Sequence, residues 1–93
     1  MNTSEGELQQ MARQRIASGE LPCHPEARTW GSRGAGAPCS LCTRTIRADE
    51  VEYEVAFPDS RSQGDPRTVR FHLRCHAVWQ AECRMLHEQT EDA

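Results

Sequence analysis

The sequence predicts one small α+β domain, because alternating and helical hydrophobic patterns share a chain of only 93 residues. Residues 51–57 alternate as a β-strand does, and residues 67–72 resume the alternation. Residues 73–89 follow with apolar side chains at helical spacing. Four metal-binding side chains also occur in two closely spaced pairs: Cys39, Cys42, His72 and Cys75. The predicted fold class is therefore a metal-stabilised α+β domain, because so short a chain buries little apolar surface.

Residues 1–19 are predicted to form an N-terminal helix. Ser4 and Glu7 fit a capping box at its start, and a glycine follows the last apolar residue, where helices commonly end. The apolar stripe of this helix includes Leu8 and Met11. The stripe either docks the helix on the rest of the domain or presents Leu8 and Met11 to a protein partner.

Residues 20–37 are rich in Pro, Gly, Ser and Ala, which is typical of a linker or an extended arm. Trp30 stands out in this segment, because a large aromatic side chain either packs on the domain or is displayed to a partner. We therefore count Trp30 among the candidate partner-binding residues. Cys23 and His24 also lie here, and the pattern assigns them no role.

Residues 38–89 are predicted to form the metal-binding domain, and residues 90–93 a frayed tail. The two strands should pair as a hairpin, with one apolar face: Val51, Tyr53, Val55, Phe57, Val69 and Phe71. The C-terminal helix should pack on that face. Glu52 and Glu54 then lie on the outer face, where we expect them to be solvated and to pair with basic side chains of the second strand.

The two cysteine and histidine pairs predict one structural Zn²⁺ ion. A tetrahedral ion takes four N or S donors, and a two-residue gap brings both members of a pair to the same ion. The expected ligands are Cys39, Cys42, His72 and Cys75. His76 is the rival to His72, because it lies beside Cys75. Two alternatives remain open: another metal such as Fe²⁺, and a redox-active pair formed by Cys39 and Cys42.

The order of a Cys-x2-Cys turn, a hairpin and a helix carrying His-x2-Cys resembles a treble-clef zinc finger. With its long insert between the pairs, the spacing resembles the zinc fingers of poly(ADP-ribose) polymerases, and it is also similar to the first half of a LIM domain. Either resemblance covers about residues 38–80. The polymerase-type resemblance implies recognition of DNA breaks, through basic residues that contact the backbone and apolar residues that stack. We carry over only the four metal ligands.

Composition narrows the class of protein further. The net charge of −3 and the pI near 5.8 favour a protein partner over nucleic acid. The alternative is a nucleic-acid surface on the second strand and its loop, with four candidate residues: Arg61, Arg67, Arg70 and Arg74. All eleven basic residues are Arg, which indicates a GC-rich, bacterial-type genome.

The sequence also indicates a compartment and argues against catalysis. No long apolar stretch and no signal-peptide pattern occur, so we expect a cytoplasmic protein. In that reducing compartment, cysteines are expected to bind metal rather than to form disulfides. Cys23 and Cys83 then remain outside the metal site, and we expect Cys83 to lie in the core. Four protein ligands close the metal site, and no orienting acid beyond Glu26 accompanies Cys23 and His24. The predicted function is a non-enzymatic zinc-binding module for protein interaction or regulation, and its oligomeric state stays open.

Overall fold

The structure, a computed structural model, describes residues 4–24, 26–58 and 67–91, with side chains up to residue 86. Two helices and three strands follow one another along the chain: α1 (Glu5–Ser18), β1 (Arg28–Arg33), β2 (Val51–Phe57), β3 (Arg67–His72) and α2 (Leu73–Glu91). The strands form an antiparallel sheet in the order β1-β2-β3. The protein is therefore a small α+β fold, as the sequence predicted.

Helix α1 begins and ends where its sequence signals predict. The Ser4 side chain accepts a hydrogen bond from the Glu7 backbone N–H at 3.2 Å, which caps the N-terminus. Gly19 has a φ of 85° and donates its N–H to the Ile16 carbonyl oxygen. Glycine suits this position because the left-handed conformation carries no Cβ penalty there.

Strands β2 and β3 pair as the predicted hairpin, with Val55 opposite Val69 and Tyr53 opposite Phe71. Helix α2 covers this apolar face. Trp79 stacks on Phe71 with ring centroids 5.2 Å apart, and Phe57 meets Trp79 edge-on at 5.9 Å. These rings form the centre of the core, because Phe71 is fully buried and Trp79 is nearly so.

The first strand lies inside the segment that the sequence assigned to a linker or arm. Residues Arg28–Arg33 pair with β2 along their whole length, from Arg28 opposite Ala56 to Arg33 opposite Val51. Just beyond β1, Gly34 is buried, and a Cβ added there would overlap the carbonyl oxygen of Arg47. The sheet therefore extends beyond the predicted hairpin, and the chain after β1 packs closely against the backbone of Arg47.

The prediction that one face of β2 is solvated is partly wrong. Glu52 is only 3% exposed, whereas Val51 on the predicted core face is 45% exposed. Arg70 does pair across the strands as expected, with its Nε 3.5 Å from Glu52 and 3.6 Å from Glu54. The other carboxylate oxygen of Glu52, Oε1, has no hydrogen-bond partner among the described residues. Alternation predicts which face a side chain takes, but not what covers that face.

Helix α1 packs against α2 and completes the core. Leu8 and Ala12 are buried, and the Arg13 Nε donates to the Glu82 Oε1 at 2.6 Å. Helix α2 continues through Glu91, so two residues of the predicted tail are helical and residues 92–93 lie outside the described part. Within the described ranges, neither helix is long and apolar enough to cross a bilayer.

Candidate metal centre

Three separate elements bring together four Cys and His side chains that could hold a metal ion. The ligand atoms of the cluster lie within 4.8 Å of one another: Cys39 Sγ, Cys42 Sγ, His72 Nδ1 or Nε2, and Cys75 Sγ. The first two come from the turn before β2, His72 ends β3, and Cys75 lies in the first turn of α2. The predicted Cys3His set is therefore assembled in the fold, at the junction of turn, sheet and helix.

The spacing within the cluster fits a tetrahedral ion. Metal–sulfur bonds of about 2.3 Å and metal–nitrogen bonds of about 2.0 Å place tetrahedral S and N ligands roughly 3.5 Å apart. His72 Nδ1 lies 3.4 Å from Cys42 Sγ and 3.9 Å from Cys75 Sγ. Nδ1 is therefore the imidazole atom that faces the thiols.

The other nitrogen of His72 is held by the backbone. His72 Nε2 lies 3.2 Å from the carbonyl oxygen of Thr45 and 3.6 Å from Oε1 of Glu50. A proton on Nε2 donates to Thr45 and leaves the Nδ1 lone pair for a metal. Such outer contacts fix the tautomer and the ring orientation of a histidine ligand.

Backbone hydrogen bonds shape the turn that carries the first two cysteines. The Leu41 N–H lies 3.4 Å from Cys39 Sγ, where it stabilises negative charge on sulfur. Thr43 takes a positive φ of 69°, and its N–H donates to the Cys39 carbonyl oxygen. Ser40 then exchanges hydrogen bonds with the Arg70 backbone on β3. The turn is thereby fixed to the strand that ends in His72.

Without a cation, the three thiols share one negative charge. The hydrogen bond with Cys75 lowers the pKa of Cys39 to about 4. The hydrogen bond with Cys39, reinforced by burial, raises the pKa of Cys75. Burial raises the pKa of Cys42. One thiolate and two thiols in such proximity favour a divalent cation, because only a bound metal lets all three ionise together.

Three arginines and one glutamate line a cleft beside the cluster. A cleft of about 320 Å³ lies beside Cys42, His72 and Cys75 and is also lined by Leu8, Thr45, Glu50 and three arginines: Arg44, Arg47 and Arg74. A divalent ion with three thiolates leaves a charge of −1. These arginines are therefore placed to offset it, although Arg47 also pairs with Asp49 at 3.3 Å.

His76, the rival ligand, lies in the aromatic core. Its ring stacks on Tyr53 with a centroid distance of 4.7 Å and meets Phe71 edge-on. Burial lowers the pKa of His76, and its Nε2 has no hydrogen-bond partner in the described structure. The Cys3His cluster thus contains His72 and not His76.

The candidate nucleic-acid residues do not form one free basic surface. Arg67 donates to the carbonyl oxygens of Gly19 and Glu20 and so binds the end of α1. Arg70 pairs with the two glutamates of β2. Arg74 lines the cleft beside the cluster, and Arg61 lies outside the described residues. Intramolecular contacts therefore occupy the strand arginines.

The candidate partner-binding residues have different positions. Leu8 is 2% exposed and Met11 is partly buried against the core, so their stripe docks α1 on the domain and does not face a partner. Trp30 is 47% exposed on β1, opposite Glu54. Of these three residues, only Trp30 is displayed.

The two remaining cysteines form a disulfide that the sequence reasoning did not predict. Cys23 and Cys83 are bonded across a sequence separation of 60, with their Cα atoms 5.5 Å apart. Cys23 is exposed, and Cys83 is partly buried rather than a free core thiol. The bond fixes the segment before β1 to α2. Beside it, buried Leu21 accepts a hydrogen bond from the Trp79 indole at 3.1 Å.

Comparisons of the chain with protein-family models, with curated proteins and with solved structures found no match.

Proposed function

We propose that this protein is a small zinc-binding module whose closed Cys3His site has a structural role and whose surface binds another protein. The arrangement of knuckle, hairpin and helix is treble-clef-like in this proposal. The convergence of four ligand atoms from three elements within 4.8 Å is the observation that carries it. An ion there ties the turn, the end of β3 and the start of α2 together.

Zinc is the metal that this donor set favours. Three sulfur atoms and one imidazole nitrogen in a tetrahedral arrangement suit Zn²⁺, whereas Mg²⁺ and Ca²⁺ prefer oxygen ligands. Four protein ligands fill the coordination sphere. A catalytic zinc site keeps one position open for water or substrate, so the full set supports a structural, non-enzymatic role.

Two observations support a protein partner rather than nucleic acid. The chain carries a net charge of −3, and the two β3 arginines of the nucleic-acid hypothesis are engaged within the fold: Arg67 with the end of α1 and Arg70 with Glu52 and Glu54. A protein that binds nucleic-acid phosphates needs basic side chains that are free to displace the counterions of those phosphates. The exposed strand with Trp30 offers an alternative surface that needs no basic excess.

The test combines two binding measurements on zinc-loaded protein. Affinity capture with quantitative mass spectrometry, after nuclease treatment, should enrich proteins with the zinc-loaded bait and not with a Cys42→Ser bait. Fluorescence anisotropy with labelled double-stranded DNA and single-stranded RNA should show no binding at low salt, where phosphate contacts are strongest. Salt-sensitive nucleic-acid binding, with no zinc-dependent protein capture, would overturn the proposal.

A further inference from the structure

Strand β1 lies at one edge of the sheet. All six of its residues are exposed, and among the residues that the structure describes it pairs with β2 on one side and with no strand on the other. The Gly34 N–H donates to the Glu50 carbonyl oxygen, which continues the β1–β2 register. In an antiparallel ladder the paired groups alternate, so Arg28, Trp30 and Ser32 face β2. The backbone groups of Thr29, Gly31 and Arg33 consequently point outward.

The side chains of this edge have a distinct chemistry. Arg28 and Arg33 lie at its two ends, about 17 Å apart at the usual rise of a strand. Both are exposed, and neither forms an ion pair within the described part of the chain. The half-exposed Trp30 lies between them. Within the described parts of the chain, the edge thus combines backbone groups that have no partner, an exposed aromatic side chain and a positive charge at each end of the strand.

We infer that β1 binds an extended acidic peptide segment of a partner protein, which adds to the sheet as a fourth, antiparallel strand. This inference rests on the proposed protein-interaction function and specifies its surface. Main-chain hydrogen bonds to Thr29, Gly31 and Arg33 supply affinity in such strand addition, and alternate side chains supply specificity.

The register predicts the sequence of the segment. In an antiparallel pair, directly opposite side chains share a face and lie about 5 Å apart. If the first peptide residue lies opposite Arg33, the fourth lies opposite Trp30 and the sixth opposite Arg28. The first and sixth positions therefore require Asp or Glu, and the fourth an apolar side chain. An acidic residue at the fourth position is disfavoured, because Glu54 lies opposite Trp30 in the adjacent strand β2 and would add a second negative charge near the same aromatic side chain.

The charge of the edge argues against a second copy of the same strand as the occupant. Two β1 strands paired about Gly31 would bring four arginines to one ribbon without any acidic partner, because β1 contains no Asp or Glu. Charged side chains on an edge strand commonly prevent such self-pairing. An acidic segment turns the same arginines into attractive contacts.

The test uses a fluorescein-labelled hexapeptide of sequence glutamate-threonine-valine-leucine-threonine-glutamate and zinc-loaded full-length protein. Anisotropy should rise saturably, and lysine at both ends of the peptide should abolish binding. N-methylation of the third residue, which pairs with Gly31, should weaken binding at least about tenfold by removing a main-chain hydrogen bond. N-methylation of the fourth residue should have little effect, because its N–H points away from β1.

Matched variants locate the site on the protein. Gly31→Pro should weaken binding at least about tenfold, since it removes one outward N–H but no β1–β2 hydrogen bond. Gly31→Ala should retain binding, because its methyl group meets Tyr53 at an ordinary 3.5 Å. Arg28→Glu with Arg33→Glu should lose the glutamate peptide and bind the lysine peptide instead. Each variant is first shown to hold one zinc and to keep the wild-type circular dichroism spectrum.

Three outcomes overturn the inference: no binding of the glutamate peptide, binding that Gly31→Pro leaves intact, or self-association through β1 in sedimentation experiments. If zinc-dependent capture of a protein survives any of these, the proposed function stands and its surface lies elsewhere. If capture also fails while zinc and fold persist, both proposals fail.

Discussion

Removing the Cys23–Cys83 disulfide should cost a large part of the stability of this protein. The bond closes a loop with a sequence separation of 60. In the chain-entropy description, a cross-link over such a loop restricts the unfolded chain and contributes about 4 kcal/mol. That value is comparable to the whole stability of many small domains. The variant Cys23→Ser with Cys83→Ala keeps the exposed position polar and the partly buried position apolar.

The assay is chemical denaturation of oxidised wild type and of the double variant, followed by circular dichroism at one saturating zinc concentration. A fixed zinc concentration is needed because metal binding itself shifts the unfolding equilibrium. The free energy of unfolding should fall by about 2–4 kcal/mol, the typical range for a disulfide. A phosphine reductant should lower the stability of the wild type to that of the variant and leave the variant unchanged.

Thiol titration gives the decisive control. Unfolded, metal-free wild type under non-reducing conditions should react at three cysteines, because two of the five are bonded. Five reactive thiols would show that the disulfide is absent, and equal stability of oxidised wild type and the double variant would show that it does not stabilise the fold.

Three further outcomes test the site and the packing around it. His72→Ala should weaken zinc binding by more than about 100-fold in competition with a chromophoric chelator, which exceeds the usual effect of mutating a residue that only contacts a ligand. His76→Phe should leave zinc binding unchanged, and equal effects of the two variants would contradict the ligand assignment. Zinc binding near pH 7 should release about two thiol protons, measured by calorimetry in buffers of different ionisation enthalpy. The reason is that raised pKa values keep Cys42 and Cys75 protonated, whereas the lowered pKa of Cys39 leaves that thiol already ionised. Release of three protons would contradict this charge distribution. Glu82→Ala should lower the free energy of unfolding by only about 1 kcal/mol, because its partner Arg13 on α1 is 58% exposed and solvent weakens the ion pair. No change in stability would show that this ion pair does not hold α1 in place.

The elements with local sequence signals were predicted well. Strict alternation over Val51–Phe57 placed β2 at its observed bounds, and the capping box at Ser4 placed the start of α1. The spacing of two ligand pairs was sufficient to select the four residues that the fold assembles. Each of these signals lies within a few residues of sequence, where propensity and geometry act directly.

The elements that depend on distant parts of the chain were missed. Strand β1 has the sequence Arg-Thr-Trp-Gly-Ser-Arg and no apolar alternation, so it forms because β2 offers a free edge. The Cys23–Cys83 bond joins residues that no local pattern relates. The burial of Glu52 likewise depends on what covers the sheet. These features arise from tertiary contacts, which override local preference.

Native mass spectrometry of wild type and Cys42→Ser, with circular dichroism before and after chelation, determines whether the cluster holds a structural zinc ion. We expect one zinc ion per wild-type chain, none in the variant, and loss of structure when the ion is removed. A wild-type chain that is folded and free of metal would contradict this expectation, and would favour a redox role for the Cys39 and Cys42 thiols.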